Sequence, residues 1–188
     1  MARLGGVAIL TGFPGAGGWG VKILREKLGL TQDELDELLE KGFTAVDGLW
    51  FLGVEEAVGF EKAMQIDIKV WARFAETIAR RLKKMWGIEK PTREQALRIL
   101  DIIYALGHLQ VETTEEPPGR FLADTPSCPW WENLKRAGRE KVVRCHEVDQ
   151  EMFAAALRAV DPTLRLEWIK SRPQGAATCR WRIHAAGC

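Results

Sequence analysis

The spacing of apolar and polar residues predicts four helices in the first part of the chain. Thr31-Gln32-Asp33-Glu34 is a capping box, and Gly42 stands where the first helix would stop. Thr92 with Gln95 forms a second box, ahead of a helix that runs to Gly107. Apolar residues recur at helical spacing between these boxes. The predicted helices are 31–42, 44–58, 60–86 and 92–107.

The period then changes from helical to alternating. Alternation over 109–114 and 121–124, about the turn at 117–119, predicts a hairpin. Two further helices are expected at 129–138 and 147–160, and a second hairpin at 164–168 and 179–183. The fold class predicted is α+β, with an N-terminal helical bundle packed on a small antiparallel sheet built from two hairpins.

Residues 1–29 differ in composition from the rest and are interpreted as a flexible arm before a single domain, residues 30–188. Seven of the eighteen glycines lie in the first twenty positions. Two alternatives fit the same stretch. A secretory signal would use Arg3 and the apolar run after it, and a phosphate-binding loop would begin at Thr11. Within the domain, the helical part is 30–107 and the sheet-containing part is 108–188.

Composition narrows the class of protein. The chain has 188 residues, 46% of them hydrophobic, which is enough for one sizeable core and excludes disorder. Its 27 basic and 26 acidic residues nearly balance, which argues against a nucleic-acid or acidic-membrane partner, because such partners usually need a basic surface. Four cysteines are too few for a disulfide scaffold, so reduced thiols are expected. No segment approaches the ~20 apolar residues of a membrane span.

Cys128 is the leading candidate for chemistry. It precedes Pro129, the expected first residue of a helix, where unpaired N–H groups and the helix dipole favour a thiolate. A buried cysteine beside Trp130 and Trp131 is the structural alternative.

The cysteines as a set suggest a metal site. Cys128, Cys145 and Cys179, with His146 or His184, supply thiolate and imidazole ligands of the kind that zinc prefers. Their spacing contains no C-x-x-C pair, and three separate buried thiols are the alternative.

Carboxylates and tryptophans complete the candidate site. Asp67 lies on the apolar stripe of the third helix, where a carboxylate needs a partner or a proton. Eight tryptophans against one tyrosine is an unusual balance, and several lie near these polar residues. The sequence therefore predicts one aromatic-walled pocket. Its candidate ligand-binding residues are Trp50, Trp71, Trp130, Trp131 and Trp181.

The C-terminal half resembles the 2-amino-thiazoline-4-carboxylate hydrolase-like family. The resemblance rests on Cys128, Cys145, the Asp161-Pro162 pair and the run 178–183. The stretch from Asp47 through Trp71 is similar to that of uncharacterised cytosolic proteins related to this family, and the last hairpin is loosely similar to 4-vinyl reductase-like ligand-binding domains.

The resemblance implies a cytoplasmic α+β protein with a small-molecule pocket between helices and sheet, and a cysteine-bound metal, with zinc as the candidate. It also implies hydrolysis of a C–N bond, in which Cys128 or a thiolate-bound metal activates the nucleophile and Asp67 or His146 moves protons. The alternative is a non-catalytic sensor or carrier of an apolar or tetrapyrrole-like ligand. A small-molecule ligand and a homodimer are the expected partners, with no nucleic acid and no membrane.

Overall fold

The computed structural model describes residues 28–117 and 119–185. The chain divides into two compact units, Met1–Asp47 and Gly48–Cys188. The described part of the first unit, residues 28–47, contains the first half of a helix that continues into the second unit. The predicted N-terminal arm, with its signal-peptide and phosphate-loop alternatives, lies outside the described residues except for positions 28 and 29.

The first helix is longer than predicted. Helix α1 spans Gln32–Val58, so the break expected at Gly42 is wrong and the two predicted helices are one. A glycine stops a helix by adopting positive φ, which Gly59 does at 84° and Gly42 does not. The capping box at the start is confirmed. The Glu34 carboxylate accepts from the Thr31 amide at 2.8 Å, and the Thr31 hydroxyl accepts from the Glu34 amide at 3.2 Å.

The other helices begin and end close to their predicted positions. The capping box of Thr92 and Gln95 is present, with reciprocal hydrogen bonds of 3.3 and 2.9 Å. Met85, near the end of the helix predicted over 60–86, is exposed. The bounds are Phe60–Met85 for α2, Arg93–Leu106 for α3, Pro129–Arg136 for α4 and Cys145–Val160 for α5.

The two predicted hairpins form one antiparallel sheet in the order β1-β2-β4-β3. The strands are Glu112–Glu116 (β1), Arg120–Thr125 (β2), Leu164–Lys170 (β3) and Cys179–Ala185 (β4). Strands β2 and β4 join the hairpins, with Thr125 opposite Cys179 and Ala123 opposite Trp181. The α+β class, with helices packed on a small antiparallel sheet, is therefore confirmed.

The core lies between one face of the sheet and helices α2, α3 and α5. Helix α2 packs along α5, and α5 packs on β3. The side of β4 that carries Cys179, Trp181 and Ile183 is buried. The Trp181 ring stacks on Trp168 at 5.3 Å and meets Tyr104 of α3 edge-on at 5.6 Å. Aromatic contacts thus join sheet and helices.

The other face of the sheet carries ion pairs. Arg182 on β4 binds Glu116 of β1 at 3.0 Å and Glu167 of β3 at 2.8 Å, and Arg180 pairs with Asp124 of β2. The Arg180–Asp124 and Arg182–Glu167 pairs therefore bridge adjacent strands, and the Arg182–Glu116 pair reaches across β2 to β1. Among the described helices, none is both long enough and apolar enough to cross a bilayer.

Candidate functional site

Cys128 occupies the position predicted for it. The chain leaves β2 at Thr125, and Cys128 is the N-cap of α4 with extended backbone and Pro129 as the first helical residue. Its sulfur accepts a hydrogen bond from the amide of Trp131 at 3.4 Å. The residue is buried. The thiol therefore caps the helix from inside the protein.

Burial determines the protonation state of this thiol. Burial first, and then the nearby Asp149 carboxylate, raise the pKa of Cys128 to about 12, whereas the hydrogen bond from Trp131 lowers it by less. The direction is opposite to the one expected from helix position alone. The thiol is neutral at pH 7 in this environment.

Cys179 lies at the same end of the sheet. It is the first residue of β4, and its amide and carbonyl both bond to the hydroxyl of Thr125, each at 3.2 Å. Its sulfur accepts from the amide of Arg172 at 3.4 Å. Burial is the largest cause of its raised pKa, and Asp149 raises it too.

Cys145 is the first residue of α5, and Asp149 follows one turn later on the same face of the helix. The pKa of Cys145 is raised by burial first, then by Asp149, and then by Cys128 and Cys179. Asp149 raises the pKa of all three thiols, so its carboxylate acts electrostatically on each of them.

Asp149 is the residue that sequence reasoning missed. Burial raises its pKa to about 7, and the Asp67 carboxylate adds to the shift. Its position four residues after Cys145 was the available signal, since that spacing puts both side chains on one helix face. We call the group formed by these side chains the thiol–carboxylate cluster. Its members are Asp67, Cys128, Cys145, Asp149 and Cys179.

Asp67 connects the cluster to aromatic side chains. It lies on α2 with 8% of its surface exposed, and Trp71 follows one turn later on the same side. Trp71 meets Trp130 edge-on, with ring centroids 5.8 Å apart. The Trp130 indole donates a 2.7 Å hydrogen bond to the carbonyl of Gly107, which fixes its orientation. An aromatic pair therefore lies one turn from Asp67 and two residues from Cys128.

The remaining predicted site residues differ in where they lie. Trp181 is fully buried in the aromatic core, and Trp50 on α1 is 41% exposed. Trp131 is half-buried beside Cys128. Burial lowers the pKa of His146, and the charged groups that act on it are Glu147 and Arg144, with no cluster member among them.

A buried hydroxyl lies near Cys179. Ser171 is fully buried, and its hydroxyl oxygen has no hydrogen-bond partner among the described groups. The next residue, Arg172, donates its amide to the Cys179 sulfur. A buried hydroxyl without a partner costs free energy, about 1–3 kcal/mol, unless a water or ligand satisfies it.

The cluster contains donors that suit zinc, namely thiols and carboxylates. In the arrangement described, however, no three or more His, Cys, Asp or Glu side chains within 28–117 and 119–185 are placed to hold a metal ion. These side chains do not fit a metal as they stand.

Comparison with known proteins gives a family and a fold. A family model described as a family of unknown function, DUF6125, matches residues 28–184. No curated protein matches the sequence. Among solved structures, a trafficking protein particle complex subunit 3 from Naegleria fowleri, covalently bound to palmitic acid, is similar. The TM-score is 0.53 at 11% identity, over 79% of this chain and 96% of that one. The likeness extends to the fold alone.

Proposed function

The chain belongs to DUF6125, a family of unknown function, and we propose that it is a small-molecule-binding protein. The ligand would contact the thiol–carboxylate cluster and the Trp71–Trp130 pair. The observation that carries the proposal is that Asp149, itself affected by Asp67, acts electrostatically on three buried or half-buried thiols. Polar groups that converge next to aromatic side chains are typical of ligand sites.

The energetic cost of the cluster supports a functional role. Apolar side chains at these positions would stabilise the core, whereas a buried carboxylate costs several kcal/mol unless it is paired or protonated. Clustered groups with perturbed pKa values are therefore more frequent at functional sites than in structural cores. Asp149 also keeps some accessible surface although burial is the main cause of its raised pKa. A group in that position suits the wall of a recess.

The chemistry of the site favours a ligand with an apolar body and a hydrogen-bonding end. Trp71 and Trp130 offer apolar surface, and neutral thiols and a protonated Asp149 offer hydrogen-bond donors. A protein of the same fold carries palmitic acid, which supports an acyl chain as the apolar body. Such a ligand agrees with the carrier alternative drawn from the sequence.

Ligand binding is tested with the full chain and palmitic acid or protoporphyrin as probes. We expect one of them to quench tryptophan fluorescence, and Trp130→Leu to weaken its binding at least about tenfold. Trp86→Leu is the matched control. Trp86 is the C-cap of α2, four turns and about 22 Å along the helix from Trp71, so it lies away from the proposed site. Absence of quenching by both probes, together with no small molecule extracted from natively purified protein, would contradict the proposal.

Hydrolysis of a C–N bond is the second candidate, favoured by one observation. Asp149 has a pKa of about 7, the range in which a carboxylate acts as general base and its acid form as general acid. Asp149 would take a proton from water as the oxygen attacks a C=N carbon, and would return it to the leaving nitrogen. Incubation with 2-amino-thiazoline-4-carboxylate tests this. Wild-type protein should open the ring and Asp149→Asn should not, and no turnover by wild type would contradict it.

Zinc bound by Cys128, Cys145 and Cys179 remains a proposal based on donor type, since the side chains would have to move to bind it. Elemental analysis of freshly purified protein is the test, and zinc well below one equivalent would contradict it.

A cytoplasmic location also remains a prediction.

A further inference from the structure

The two edges of the sheet differ in how they meet a second chain. Among the described strands, β1 and β3 each have one neighbour. The β1 edge reads Glu-Thr-Thr-Glu-Glu, so a second β1 would bring carboxylates together. Edge strands are commonly protected in this way, because like charges oppose pairing. The glutamates of β1 therefore oppose pairing of this edge with a second copy of the strand.

Strand β3 lacks this protection. It carries one acidic residue among two basic and four apolar ones. Its core-facing side chains are only half-buried, whereas Ile183 and Trp181, opposite Leu166 and Trp168 on β4, are buried. Ile169 is 41% exposed. The half-buried core-facing residues are Leu164, Leu166 and Trp168. An open strand with this pattern invites pairing with another strand.

We propose that β3 pairs antiparallel with β3 of a second copy of this chain, about a two-fold axis at Leu166. In that register Arg165 of each copy lies opposite Glu167 of the other, and Leu164 lies opposite Trp168. Shifting the axis by one residue would oppose Arg165 to itself or Glu167 to itself. Opposite charges across an antiparallel pair stabilise it and like charges destabilise it. Charge therefore selects one register.

The charged groups are available for these contacts. Arg165 uses one guanidinium nitrogen, Nη1, for hydrogen bonds to the carbonyls of Pro162 and Leu164, at 2.6 and 2.8 Å. Glu167 binds Arg182 through Oε2. Pairing would extend the existing row of alternating charges across the sheet, from Glu116 through Arg182 and Glu167 to Arg165 of the second copy.

The proposed pairing also limits the assembly to two copies of the chain. Two four-stranded sheets would join into one, with both sets of helices on the same face, because the axis is perpendicular to the sheet. The remaining edges would both be the acidic β1 strands, which oppose further addition. The product is a symmetric dimer rather than a fibre. This inference is independent of the proposed ligand site.

Reversing the charges of Arg165 and Glu167 tests the proposed dimer. Sedimentation of the full chain over a concentration series should show a dimer. Arg165→Glu and Glu167→Arg should each raise its dissociation constant at least about tenfold, because each places like charges opposite one another twice. The double variant R165E/E167R should restore the dimer, since the exchanged charges again face opposite ones.

The control is Arg80→Glu, which reverses an exposed arginine on α2 that pairs with Glu76. It should leave the dimer unchanged. A wild-type monomer up to about 100 μM would overturn the proposal, since a dimer weaker than that lies below specific interfaces. Single variants that remain dimeric, or a double variant that is folded by circular dichroism yet monomeric, would overturn it too.

Discussion

The Cys128 thiol is subject to two opposing effects. Its N-cap position brings it a hydrogen bond from the Trp131 amide, which favours the thiolate. Burial and the Asp149 carboxylate favour the thiol, and they outweigh the first effect. Position in a helix therefore sets the local field, and the surrounding protein decides the protonation state.

Slow alkylation of Cys128 is the first prediction. Because burial raises its pKa to about 12, iodoacetamide at pH 7.5 should label it more slowly than a free cysteine. Mass spectrometry of peptides from native protein measures the rate, and protein unfolded in urea provides the reference. Labelling in the native state as fast as in urea would contradict this effect of burial.

Asp149 should make stability depend on pH. Its pKa is raised from 3.8 to about 7 in the folded protein, so the folded state binds the proton more tightly than the unfolded state. Its contribution to stability is therefore greatest below about pH 4 and is lost as the pH rises to about 7. Asp149→Asn should raise the free energy of unfolding at pH 8 by about 1–3 kcal/mol.

Urea unfolding at pH 5 and pH 8 measures this effect. The gain in free energy of unfolding from Asp149→Asn should be smaller at pH 5. At that pH the carboxyl of the folded protein is still mostly protonated, so less stability has been lost. Glu89→Gln removes an exposed carboxylate and should change little at either pH. Equal gains from Asp149→Asn at both pH values would argue against a buried, titrating carboxyl.

At the scale of elements, α1 continues through a glycine where a stop was expected. Gly42 is helical, and a Cβ added there would meet no atom within 4 Å. Gly59 ends the helix at φ 84° and ψ 158°, a region that is nearly exclusive to glycine. Backbone conformation, which the residue type alone leaves open, distinguishes the two.

Alanine at these two glycines should have opposite effects. Gly42→Ala should stabilise the protein by about 0.5–1 kcal/mol, because glycine loses more backbone entropy in a helix. Gly59→Ala should destabilise it by about 1–3 kcal/mol through strain. Thermal unfolding followed by far-UV circular dichroism measures both. A destabilising Gly42→Ala would indicate that α1 is broken there.

At the scale of the whole molecule, Trp181 connects the sheet to the helices. It is fully buried and contacts rings from three other elements, namely Tyr104, Phe153 and Trp168. Its indole donates to the hydroxyl of Tyr104 at 3.2 Å. It was predicted to line a pocket, and the structure places it at the centre of the core.

Trp181→Ala should therefore cost about 3–5 kcal/mol of stability, as large aromatic truncations do in packed cores. Trp50→Ala, at an exposed tryptophan, should cost well under 1 kcal/mol. Denaturant unfolding of both variants measures the difference. Similar costs at the two positions would contradict the assignment of Trp181 to the core.

The sequence by itself determined most of the elements, because helix caps and apolar periodicity are local. The capping boxes at Thr31 and Thr92 and the alternation in β4 were readable from neighbouring residues. It also indicated Cys128 as a helix cap. These features depend on residues within about four positions of one another.

The tertiary structure alone decided which side chains meet and in what state. Asp149 joins the three thiols only because α2, α5 and the end of the sheet pack together. The same packing raises the pKa values of the thiols and places Trp181 in the core. Burial and charge proximity depend on residues far apart in the chain, so local patterns cannot fix them.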